Sequence, residues 1–154
     1  MQTQSTASPP PPPSDPTAVI AVTINAFYPI GAIYPINYQL ALAGGDPRIF
    51  TLQNGKLTVR VPVGTEVSIE YRLADPRYVL LGVAFNPSGP GVGAGRQEFP
   101  TVTLYRDLNG STMTVLDKSL PVFLGVDYNY VILVQQVATG FIGIIDPDLE
   151  NDPP

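Results

Sequence analysis

Residues 48–73 read RIFTLQNGKLTVRVPVGTEVSIEYRL, three short runs rich in Val, Ile, Thr and Tyr, separated by Asn54-Gly55 and by a break containing Pro62 and Gly64. Asn-Gly is the preferred centre of a two-residue hairpin, because both residues tolerate the positive φ that such a turn demands. In the third run Ser68, Ile69, Glu70 and Tyr71 alternate polar with apolar. Successive strand side chains point to opposite faces, so Ile69 and Tyr71 share one face, as in a half-buried antiparallel strand. No sustained helical period fits.

The same pattern continues in both directions. Candidate strands occupy 18–25, 33–42, 48–52, 56–61, 66–73, 78–85, 101–106, 112–116, 128–137 and 141–145, each bounded by Gly, Pro, Asn or Asp. A second hairpin is expected at Asn109-Gly110, and a third at Ala138-Thr139-Gly140, where glycine supplies the left-handed position. Val131 to Val134 is apolar at every position, which predicts a central strand covered on both faces. These features specify an all-β fold. Strand number and turn spacing fit an immunoglobulin-like antiparallel β-sandwich over residues 17–154, with a closed barrel as the alternative.

Residues 1–16, MQTQSTASPPPPPSDP, have a different composition, and their five consecutive prolines favour an extended, internally unbonded chain. A disordered spacer is the expected role, and a docking site for a proline-recognition partner is the functional alternative. The segment has neither the basic start nor the apolar run of a secretory signal, and no stretch approaches the roughly 20 apolar residues of a membrane helix. A soluble protein with no membrane partner is expected.

Composition narrows the chemistry further. The chain has no Cys and no His, which removes thiol nucleophiles, imidazole bases, Ser-His-Asp triads and thiolate or imidazole zinc sites. Absence of disulfides fits a cytoplasmic setting. A net charge of −5, with 8 scattered basic residues, argues against nucleic acid as partner. With 14% charged residues the surface is thinly charged and suits contact with other proteins or with itself. No cofactor or metal is expected.

Several motifs have both plain and functional readings. Asn86 to Gly95, NPSGPGVGAG, is glycine-dense like a phosphate cradle, but no Gly-Lys-Ser/Thr follows, so a flexible loop is the better reading. Tyr28-Pro29-Ile30 recurs as Tyr34-Pro35-Ile36; proline cannot donate to a ladder, so an edge or a bend is expected, with a self-association contact as the alternative. Asp146, Asp148, Glu150 and Asp152 alternate at the end of the chain and read as one side of a solvated acidic tail.

Asp-Pro is the dipeptide with intrinsic reactivity. The Asp carboxyl can attack its own main-chain carbonyl to form a cyclic anhydride, expelling the proline nitrogen once that nitrogen is protonated. The chain carries Asp15-Pro16, Asp46-Pro47, Asp75-Pro76, Asp146-Pro147 and Asp152-Pro153. Most are expected to be turns, because Asp-Pro also favours turn initiation.

The strand DYNYVILVQQ, the ATG turn, the strand FIGII and the closing DPDLENDP together resemble the C-terminal pattern of the DP-EP family of small bacterial β-sandwich proteins. The resemblance implies self-cleavage at a C-terminal Asp-Pro bond and self-assembly through a covalent Asp–Lys link. On that reading Asp146 is the reacting acid and Pro147 the leaving residue, and residues 147–154 would be released. Asp148 or Glu150 would serve as an added acid or activate water. Of the two lysines Lys118, in VLDKS before the penultimate strand, is favoured over Lys56 as the amine acceptor, because adjacent hairpins would bring it close; the resemblance places the family's lysine near Tyr128, where none stands, and on that alignment the anhydride would hydrolyse without cross-linking. The function expected is thus single-turnover autoprocessing, with a non-enzymatic interaction or self-assembly module as the alternative.

Overall fold

The structure, a computed structural model, describes residues 15–27, 34–87, 98–120 and 127–154. They form eleven strands: β1 (Thr17–Phe27), β2 (Tyr34–Gly44), β3 (Phe50–Gln53), β4 (Lys56–Val59), β5 (Val67–Leu73), β6 (Tyr78–Pro87), β7 (Thr101–Asp107), β8 (Gly110–Asp117), β9 (Asp127–Gln136), β10 (Ile142–Ile145) and β11 (Asp148–Asn151). The chain is an all-β sandwich. One layer runs β2-β1-β5-β8-β7. The other is built on β9, which pairs with β6 along one edge and with β10 and then β11 along the other, and continues from β11 through β4 to β3. Three pairings are parallel, β1 with β5, β10 with β2 and β11 with β4, and they join segments distant in sequence.

Period-2 alternation decides which residues face inward. In β5, Val67, Ile69, Tyr71 and Leu73 are buried while the residues between them are not. In β8, Met113, Val115 and Asp117 take the same parity. Opposite them stand Tyr128, Tyr130, Ile132 and Val134 of β9. Tyr71 and Tyr130 join the layers: their hydroxyls lie 2.6 Å apart and hydrogen-bond, so two polar groups enter the core already satisfied. Burial pushes both phenols above their ordinary range.

Most of the expected strands and turns are found, and five expectations are revised. Asn54 and Gly55 do form a hairpin centre with φ of 50° and 79°, and Gly140 is left-handed in the β9–β10 turn. The β7–β8 hairpin is instead centred on Leu108-Asn109, with Asp107 paired to Gly110. Asp107 Oδ1 accepts the Asn109 and Gly110 N–H groups, the pattern of a type I turn with Asp first and Gly fourth. Gly110 is needed for another reason: at φ 153° an added Cβ would lie 2.1 Å from the Leu73 carbonyl oxygen.

Residues 131–134 do lie in a central strand, but only Ile132 and Val134 are buried; Leu133 faces outward and is 36% exposed. Tyr34-Pro35-Ile36 is a crossover and not an open edge, since Tyr34 and Pro35 pair with β10 and Ile36 pairs with Phe27 of β1. The acidic terminus is a strand, not a solvated tail. Residues 1–14, the first Tyr-Pro-Ile motif and residues 88–95 of the glycine-dense stretch lie outside the described residues. Pro16, assigned to the tail, accepts the Ser68 N–H at 2.9 Å and so belongs to the sandwich edge.

Gly110→Ala is expected to lower unfolding free energy by roughly 2–4 kcal/mol, because backbone must move to admit the methyl group. Gly55→Ala, at φ 79° with open space around it, should cost about 1 kcal/mol from backbone strain alone. Urea denaturation of the two variants checks the order.

Candidate functional site

The Asp146-Pro147 junction links β10 to β11, which lie in line along β9. Pairing with β9 keeps the same register on both sides of it, Ile145 opposite Ile132 and Asp148 opposite Asn129. The Tyr130 N–H donates to the Pro147 carbonyl at 3.2 Å, so the ladder runs through the proline and loses only the bond for which proline has no donor. On the other edge the partner changes at this point, from β2 beside β10 to β4 beside β11. Proline is tolerated because a strand is changing neighbours there.

Tyr38 reads this junction directly. Its hydroxyl donates to the Asp146 carbonyl oxygen at 3.2 Å and lies 3.3 Å from the Asp146 N–H, which it can accept. The carbonyl so contacted belongs to the Asp146-Pro147 bond. The Asp146 side chain is exposed, and among the described residues its carboxyl makes no hydrogen bond or ion pair. The other internal Asp-Pro pairs are turns, as expected. Asp46 and Asp75 each hold the following Arg48 or Arg77 by side chain and backbone. Hydrogen bonds from Arg48 keep the Asp46 carboxyl at about 2, and those from Arg77 lower Asp75.

The proposed helpers are not gathered around Asp146. Asp148 and Glu150 lie on the outer side of β11, where Lys56 Nζ pairs with Glu150 and Arg60 Nε approaches Asp152 at 3.6 Å. Lys118 is paired with Glu66 at 3.3 Å. The lysine beside the terminal strand is Lys56, whose register partner is Asp148.

A second cluster escaped the sequence reading. Where β8 ends, Asp117 meets Glu98 and Asn151, and all three are buried. Asn151 Nδ2 donates to Glu98 Oε1 at 2.8 Å and to Asp117 Oδ1 at 3.1 Å. The Ser119 N–H donates to Asp117 Oδ1 at 2.9 Å, and the Leu120 N–H lies 3.1 Å from both Glu98 carboxyl oxygens. Burial, then the hydrogen bond to Asp117 and its charge, pushes Glu98 up to about 8; burial also raises Asp117. The acids therefore share a proton through neutral pH. The Tyr128 ring packs edge-on against Phe99 at 5.0 Å, and burial beside both carboxyls raises its phenol. Asp117 was legible from the inward parity of Met113 and Val115. Asn151 was missed because its strand was read as a tail, and Glu98 carries no periodic signal.

The third feature is an edge. All nine residues from Thr101 to Asn109 are exposed, including Val102, Leu104, Tyr105 and Leu108 at 40%, 49%, 64% and 93%. Val102 and Leu104 are register partners of Val115 and Met113, both fully buried. They thus lie on the core-facing side of the sheet yet remain partly exposed at its edge.

The folded chain keeps a proton on Glu98 between about pH 4.5 and 8, where the unfolded chain has released it. A raised acid stabilises below its unfolded value, and that contribution fades as pH rises to the folded one. In EDTA-containing buffer, stability should fall between those limits by on the order of 2–3 kcal/mol after allowance for solvent screening, and Glu98→Gln should flatten the slope. Denaturation series at several pH values check this. Compared with known proteins, the chain matches no family model and no curated sequence.

Proposed function

We propose that this chain is a non-catalytic self-association module whose contact element is β7. The observation that carries the reading is the run 101–109, exposed at every position, on a strand that among the described residues pairs on one side only, to β8. An uncovered apolar edge is a template for strand addition, in which main-chain bonds supply affinity and alternate side chains supply selectivity. The closing pair Asp107–Gly110 of a two-residue hairpin exchanges hydrogen bonds. Counting back by twos, Thr101, Thr103 and Tyr105 turn their backbone groups toward β8, and Val102, Leu104 and Arg106 turn theirs to the open side.

A second copy satisfies that edge best when two β7 strands run antiparallel about Thr103. Val102 of each copy then faces Leu104 of the other in a hydrogen-bonded pair, on the apolar side, and Thr101 faces Tyr105. No charge lies between Thr101 and Tyr105, so like charges do not oppose the pairing. A cytoplasmic setting belongs to the same reading.

A second reading, autoprocessing at Asp146-Pro147 as in the DP-EP family, is favoured by the Tyr38 hydroxyl on the Asp146 carbonyl. A donor placed there stabilises the charge that develops on that oxygen during attack. Asp146 would close onto its own carbonyl, the Pro147 nitrogen would leave protonated, and water would open the anhydride. Lys56, already at β11, is better placed than Lys118 to take the activated acyl group from another copy.

Light scattering tests the first reading: mass should rise with concentration in the micromolar range, and the Val102→Lys, Leu104→Lys double variant should stay monomeric at all concentrations. A wild-type chain that is monomeric throughout overturns it. Because the chain has no cysteine, Thr103→Cys should oxidise to a disulfide dimer faster than Leu104→Cys, whose register partner is Val102. Intact mass tests the second reading: loss of residues 147–154 over days, slowed by Tyr38→Phe and abolished by Asp146→Ala, supports it, and a constant mass excludes it.

A further inference from the structure

Glu98 and Asp117 lie buried together, and neither forms an ion pair among the described residues. Around them Asp117 Oδ2, Ser119 Oγ, Tyr128 OH and Asn151 Oδ1 have no hydrogen-bond partner among the described residues, although all four residues are at most 1% exposed. Each buried orphan costs about 1–3 kcal/mol, and folded proteins carry few without a water or an ion to account for them. Four orphans against one carboxyl pair therefore point to a ligand that supplies positive charge and accepts oxygen donors.

We propose that Glu98, Asp117, Ser119 and Asn151 form a binding site for a calcium-class divalent cation. The donors are all oxygens, in a chain without His or Cys, which selects a hard cation. Two carboxylates offset the double charge when the ion displaces their shared proton. Asn151 now directs Nδ2 at both carboxyls; a half-turn of the amide puts its oxygen in that space. The uneven set of two carboxylates, one amide and one hydroxyl suits calcium, which takes six to eight oxygens in flexible geometry, better than magnesium, which requires a near-ideal octahedron. With two acids the affinity falls in the weak range, roughly 10⁻⁴–10⁻³ M. The bound ion would fasten the end of β11, through Asn151, to the end of β8 and to the segment at Glu98.

Thermal unfolding of the full chain at pH 8, with 10 mM CaCl2 against EDTA at matched ionic strength, tests the site. Calcium should raise the midpoint by several degrees. Terbium bound there should emit on tyrosine excitation, since Tyr128 adjoins the carboxyls, in a saturable signal that calcium displaces. Glu98→Gln, which preserves the hydrogen-bond shape, and Asp117→Asn should lose both effects. No calcium-specific shift together with no saturable emission overturns the proposal and leaves a protonated acid pair. Effects that survive intact in Glu98→Gln also overturn it, because they would come from surface carboxylates.

Discussion

The sandwich depends on a terminal strand that is hydrogen-bonded along both edges. β10 is held between β9 and β2, and β11 between β9 and β4. Removing β11 would separate β4 and β3 from the rest of their layer, because among the described strands β4 reaches β9 only through β11. Leu149, fully buried, and Asn151, 1% exposed, face inward from it, so the end of the chain supplies core and not merely coverage. This placement explains the chemistry nearby: the Asp146-Pro147 bond sits where the strand changes partner, and Asn151 is carried inward to the buried acids at the end of β8.

The two ends of the sheet path behave oppositely. The β3 end carries Thr51, Gln53 and polar partners on β4, with Arg60 Nη1 reaching the Thr51 hydroxyl. The β7 end carries Val102, Leu104 and Tyr105, all exposed. Natural sheets usually blunt an exposed edge with charge, proline or a bulge. Here Arg106 and Asp107 stand at the hairpin tip, leaving the middle of the strand uncharged. A monomer would gain little from such a strand, whereas an assembling protein gains both its main-chain donors and its apolar side.

Local signals carried most of the fold. Period-2 runs and turn residues located ten of the eleven strands, because those signals act over a few residues. β11 was missed because Asp148 and Glu150 make DLEN look solvated, and its neutralising partner Lys56 lies far away in sequence. The turn at residues 107–110 was displaced by one residue because Asp107, capping the Asn109 and Gly110 N–H groups, favours a type I turn over one centred on Asn-Gly, and the Leu73 backbone that also requires Gly110 is a long-range contact. Exposure of β7 was invisible for the same reason: TVTLYRD alternates like any half-buried strand, and only the extent of the opposite layer decides whether its inner side is covered. Of the candidate site, Asp146 and its proline were legible by chemistry, and Tyr38, 108 residues away, was not.

Hydrogen exchange resolved to single amides, followed over protein concentration, asks whether β11 is held along both edges while the open edge of β7 completes itself with a second copy. Amides of Asp148 and Asp152, which donate to the Gly55 and Val59 carbonyls, should be protected at every concentration, as should those of Thr103 and Tyr105, which face β8. The Val102, Leu104 and Arg106 amides should exchange freely when dilute and slow as concentration rises. Free exchange at those three positions even at the highest concentration would rule out a β7–β7 contact, and rapid exchange throughout β11 would rule out a strand held along both edges.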